Sequence, residues 1–149
     1  MTAAPWAFTT DDHWTAIVAV CGYRDQQWAL EIQKAGKGDK RQRLMQARDA
    51  DIAQWHILAV LIARKLGIPT IEREELTGIG RPPNPTDQEG WLAIVATARR
   101  ALDRAADNDH LPIYRQIYLI WRWAHLYVHV WAIPALHLRA ANIEQRKAA

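Results

Sequence analysis

The stretch Tyr114–Leu138, YRQIYLIWRWAHLYVHVWAIPALHL, decides the fold. It holds three of the eight Trp, three of the four Tyr and three of the six His of this 149-residue chain. Counted at about 100° per residue, Ile120, Trp123, Ala124, Tyr127, Val128 and Trp131 fall on one side, and Trp121 is assigned to the core with them. A helix this apolar is buried on several sides. It is therefore expected as the central helix of an all-α molecule. Pro134 stands inside it, lacks a backbone donor, and should kink the helix just before itself.

Working outward, three more helical patterns precede it. The first runs from about Thr10 to Lys34, with Trp14, Ile17, Cys21, Trp28 and Ile32 at helical spacing. Thr9 and Asp12 form its start signal, and Gly36 and Gly38 end it. The second runs from about Lys40 to Leu66, capped by Asp39, with Leu44, Trp55, Leu58, Ile62 and Leu66 as its stripe. Gly67 and Pro69 stop it. A connector over 68–85 follows. EREEL can add one turn there, but TGIGRPPNP is too rich in Gly and Pro for regular structure. The third helix starts at the capping box Thr86-Asp87-Gln88-Glu89 and reaches about Ala106. The fourth spans about Asp109 to Arg146. Four amphipathic helices with short first and third turns predict an antiparallel four-helix bundle, one domain over 1–149, with a long, Pro-kinked, aromatic-rich last helix.

Composition narrows the function classes. Half the residues are apolar, the net charge is +3, and Cys21 is the single cysteine. One cysteine excludes an internal disulfide and a Cys-rich zinc site, and fits a reduced, cytoplasmic setting. MTAAPWAFTTDDHW has no basic start and no apolar run of signal length, so no secretion address is expected. Ile117–Leu138 is long enough to consider as a membrane span, but Arg122 and three His lie within it. A mid-bilayer Arg costs roughly 2.5–3.5 kcal/mol, so a buried core helix and no membrane are expected.

Two groups of residues can carry chemistry. On the fourth helix, Arg115, Arg122, His125 and His129 form a polar stripe opposite the apolar side. It can face solvent or a subunit, bind an anion, or supply His125 and His129 at i, i+4 as metal ligands. On helices one and two, charge falls close to the apolar stripes: Asp25, Arg48 and Asp51. Charge inside a bundle is costly unless paired or bound to metal. The readings are a buried Arg48–Asp51 or Arg48–Asp25 pair, or a metal or substrate site using Asp25, Glu31 and Asp51. The turn AGKGDKRQR is basic, and Lys34, Lys37, Lys40, Arg41 and Arg43 can meet a phosphate backbone, which leaves nucleic acid as a possible partner.

The segment DADIAQWHILAVLIARKLGIP resembles the second metal-binding helix of the all-α nucleoside triphosphate pyrophosphohydrolases. The resemblance implies magnesium held by E-x-x-E on one helix and E-x-x-D on the next. The matching positions are Trp28 to Glu31 and Arg48 to Asp51, so only Glu31 and Asp51 carry over. His56, followed by His125 and His129, is also similar to a metal-binding bundle family with one His on helix two and H-x-x-x-H on helix four. The leading expectation is a protein-interaction or homo-oligomerising module without a cofactor, and eight Trp in a small chain point toward a homodimer. The alternatives are a divalent-metal hydrolase (Mg, Mn or Zn) of phosphate substrates and a His-ligated metal-binding bundle.

Overall fold

The computed structural model describes residues 8–69, 84–108 and 111–148. The connector's interior, its EREEL turn and the start of the fourth helix at Asp109 lie outside the described residues. The elements are α1 (Asp11–Ala35), α2 (Asp39–Leu66), α3 (Gln88–Asp107), α4 (Leu111–Leu126), a π-helix (Tyr127–Ala132) and α5 (Ile133–Ala148). The last three follow without a break, so the described residues form four helical rods.

The rods make an antiparallel bundle. Gly36 and Gly38 have φ of 71° and 108°, which lets the chain reverse between α1 and α2 within three residues. Gly67 closes α2 in the left-handed conformation, and the Ile68 N–H bonds the Ala63 carbonyl at 2.9 Å. α1 packs on α2 and α4, and α3 packs on α4; α2 and α3 touch more sparingly. Ile17, Val20, Leu58, Ile62, Ile94, Ile117 and Ile120 fill the shared core. No described helix is long and apolar enough to cross a membrane.

The helix starts differ from the sequence signals by one residue. α1 is capped at Thr10, whose N–H donates to Nδ1 of His13 at 3.0 Å. Thr9 is drawn off to accept from Nε1 of Trp123 at 2.7 Å, which ties the start of α1 to α4. Asp87, not Thr86, caps α3, accepting from the Gly90 N–H at 2.7 Å. Gly38 stands at the N-cap of α2, and Asp39 opens its first turn.

The last rod corrects the angular count. Ile120, Trp123, Ala124, Tyr127 and Val128 are buried as expected, but Trp131 is 43% exposed and Trp121 only half-buried. The cause is the π turn. Its i→i+5 bonding, seen in the Ile133 N–H to Val128 carbonyl bond, widens the turn by one residue. The core positions after Val128 then pass from Trp131 to Ala132 and Ile133, both buried. The π turn ends two residues before Pro134, whose missing N–H leaves the Val130 carbonyl without its α-helical partner.

Two histidines make this packing sensitive to acid. His13 and His56 are buried, and burial holds both below the usual His value of 6.5 despite the opposing pull of Asp12 and Asp25. The folded state therefore keeps neutral rings, and His13 accepts a bond that protonation at Nδ1 destroys. As pH falls through 6.5 the unfolded chain gains protons that the folded chain does not, so stability falls in that window. The melting temperature should be lower at about pH 5 than at about pH 7, and His13→Asn should flatten part of the slope. A melting temperature that holds or rises on acidification contradicts the neutral, buried assignment.

Candidate functional site

The sparse contact between α2 and α3 leaves a cleft. Ala47 and Ala50 of α2 face Ala93 and Ala101 of α3, and these short side chains leave about 380 Å³ open between the two helices. That volume lies in the range of small-molecule sites, about 300–1,000 Å³. A side recess of about 90 Å³ adjoins it, sharing Arg24, Trp28 and Arg104 and adding Glu31, Tyr23 and Asn108.

The floor comes from α1. Arg24 stands three, four and seven residues after Cys21, Val20 and Ile17, so the helix turns it inward with them. Its side chain is 7% exposed. Asp51 stands four and seven residues before Trp55 and Leu58 and faces the same way from α2. Nε and Nη2 of Arg24 donate to one oxygen of Asp51, Oδ2, at 3.1 and 2.9 Å. Nε1 of Trp28 donates to the same oxygen at 2.8 Å, and the Arg24 guanidinium lies 5.6 Å from the Trp28 ring centre. Charge-assisted bonds of this kind are about twice as strong as neutral ones. Oδ2 of Asp51 thus accepts from three donors, and Oδ1 is left unengaged among the described residues.

The walls are polar. Thr97 is buried and accepts from Nη2 of Arg100 at 3.1 Å. Arg104, one turn on, makes no ion pair among the described residues. Gln54 presents a buried Oε1 that no donor meets among the described residues. A buried acceptor left unpaired costs about 1–3 kcal/mol, which a ligand donor can recover. Three arginines against one carboxylate make the cleft cationic.

The structure separates the residues that the sequence grouped. Asp51 is in the inward pair, but its partner is Arg24 and not Arg48 or Asp25. Arg48 pairs with its neighbour Asp49 at 3.0 Å near the surface. Asp25 is exposed on the α1–α2 seam beside Cys21 and His56, which has no free volume. Glu31 is exposed and borders the side recess. His56 is buried within α2, whereas His125 and His129 lie on the outer face of the last rod with ring centres 4.6 Å apart. Arg115 and Arg122 are exposed on that same rod. Among the described residues no three of His, Cys, Asp and Glu gather where they could hold a metal ion, so the carboxylates Asp25, Glu31 and Asp51 do not form the expected set. Burial, with Asp25 and Asp51 nearby, pushes the Cys21 thiol up to about 12, which keeps it protonated and unreactive.

Arg24, Arg100 and Gln54 were not singled out from the sequence. The available signal was the place of Arg24 on the line Ile17–Val20–Cys21. No protein-family model, curated protein or solved structure matches this chain.

Proposed function

We propose that the bundle binds a small anionic molecule carrying hydrogen-bond donors in the cleft between α2 and α3. The observation that carries this reading is a cationic cleft whose polar groups are incompletely partnered. Arg100 and Arg104 offer charge to an anionic group, while Gln54 Oε1 and Asp51 Oδ1 offer acceptors. The Arg24–Asp51–Trp28 cluster fixes the floor, so the site is preorganised before a ligand arrives. Asp51 Oδ2 is already committed to three donors, which supports binding rather than metal-dependent hydrolysis as the role of this carboxylate.

Thermal melts with inorganic phosphate, citrate, AMP and glutamate as probes test the reading. At a hundred times its Kd a probe stabilises the fold by about 2.7 kcal/mol. For a chain of this size that is a rise of roughly 5–11 °C. Arg100→Ala combined with Arg104→Ala should abolish the rise and leave the unliganded melting temperature nearly unchanged, because both side chains are exposed. Absence of a rise with all four probes, or a rise that survives the double substitution, defeats the proposal.

A second reading, association with another copy of the chain, is favoured by the last rod. Leu126, Val130 and Leu138 are exposed at helical spacing, and Ile133 is the one buried residue of α5. Exposed aliphatic stripes mark interaction surfaces. Sedimentation equilibrium should give a dimer that Val130→Glu with Leu138→Glu converts to a monomer; a wild-type monomer at high concentration eliminates this reading.

A further inference from the structure

We infer that the solvent face of α4 and the first π-helical residues after it is a stacking surface for single-stranded nucleic acid, separate from the cleft. Five rings run along this face in unbroken contact. Tyr114 meets Tyr118 at 6.4 Å between centres, Tyr118 meets Trp121 at 5.9 Å, and Trp121 meets His125 at 5.4 Å. His125 then meets His129 at 4.6 Å. The row runs fifteen residue steps from Tyr114 to His129, about 22 Å at 1.5 Å per step, enough for a short run of nucleotides. None of these five rings is fully buried, and Tyr118 is 40% exposed. Tyr118, His125 and His129 stand outside the core, and Tyr114 and Trp121 pack against its edge with part of each ring in solvent.

Arginines flank the row on both sides. Arg115 and Arg122 lie along one edge of α4, exposed and without an ion pair among the described residues. On the other edge Arg99 of α3 sits 5.1 Å from the Trp121 ring centre. Arg99 also pairs with Asp103 at 3.2 Å. From Leu111 to Ile143 the sequence contains no Asp or Glu. Two such faces repel, so a second copy of this chain does not fit here. The fitting partner has negative charge at regular intervals and flat apolar faces to lay on rings. Unpaired nucleotides supply both, whereas a duplex hides its base faces and an acidic peptide has none.

Fluorescence anisotropy with labelled dT15 and U15 on the full chain tests the inference. Binding at about 50 mM salt should weaken roughly 7- to 20-fold at about 200 mM, as expected for two to three phosphate contacts on a single strand. Arg115→Ala with Arg122→Ala should lower the log–log salt slope by about 1.4. Tyr118→Leu, which keeps the charge, should weaken binding about fivefold or more through lost stacking. All three side chains lie outside the core, and circular dichroism confirms that the variants fold. Lys37→Ala with Lys40→Ala and Arg41→Ala in the α1–α2 turn should leave the salt slope unchanged. The inference is overturned by absent binding at low salt, by equal binding of a duplex, or by displacement of dT15 with polyglutamate. It is equally overturned by α4 variants that bind like the wild type, or by binding that vanishes with the turn variant.

Discussion

Asp51→Ala is expected to cost about 3–5 kcal/mol of stability, because it strands a buried guanidinium. The side chains of Arg24 and Asp51 are 7% and 16% exposed, so water replaces the lost carboxylate only in part. Three donors lose their acceptor at once, Nε and Nη2 of Arg24 and Nε1 of Trp28. The melting temperature should fall by roughly 6–20 °C. The cost belongs to the uncompensated charge and not to the pair as such. Arg24→Met combined with Asp51→Leu should therefore be more stable than Asp51→Ala alone, since apolar replacement of a buried pair is often neutral. Urea unfolding of the three proteins decides the matter. A loss below about 1 kcal/mol in Asp51→Ala would falsify the buried, net-coupled pair.

Trp55→Ala is the second large effect. Trp55 is 1% exposed on the inward side of α2, and large-to-small substitutions of this type cost about 3–5 kcal/mol. Its indole Nε1 is buried with no acceptor among the described residues, a destabilising feature in the native protein. Trp55→Phe deletes that donor while keeping a ring in place. The relief of an unpaired N–H, about 1–3 kcal/mol, offsets much of the lost area. Trp55→Phe should thus cost under about 2 kcal/mol, well short of the alanine variant. Equal losses in the two variants, measured by chemical denaturation, would mean that the indole N–H is satisfied in solution.

The bundle was legible in the sequence because its cues are local. Gly36, Gly38 and Gly67 break the helices where the chain turns, and the apolar rows of α3 and α4 follow the helical period. The inward position of Asp51 was legible for the same reason. Its partner was not. Weighting the α1 stripe toward Trp14, Trp28 and Ile32 turns its centre toward Asp25. The true buried face includes Ala16 and Val20, and its middle is Arg24. Half-buried Trp14 and Trp28 misled because large rings lie at the rim of a core as readily as inside it. The π turn escaped a count at fixed pitch, which is why Trp131 was placed inside. The cleft itself is a property of two helices facing each other. Ala47, Ala50, Ala93 and Ala101 leave room only because α2 and α3 are neighbours, and no window along one helix records that.

The arrangement of the four rods resembles a half-open book. The hairpins α1–α2 and α3–α4 are the two covers, the first stitched by the turn at Gly36 and Gly38. The α1–α4 seam, pinned at its end by the Thr9–Trp123 hydrogen bond, is the spine. The cleft is the opening at the fore-edge, where α2 and α3 meet least. Movement of the covers about the spine changes the width of the opening without breaking a helical hydrogen bond. The opening with the sparser contact is therefore the one that a bound anion would bridge, from Asp51 and Gln54 on one cover to Arg100 and Arg104 on the other.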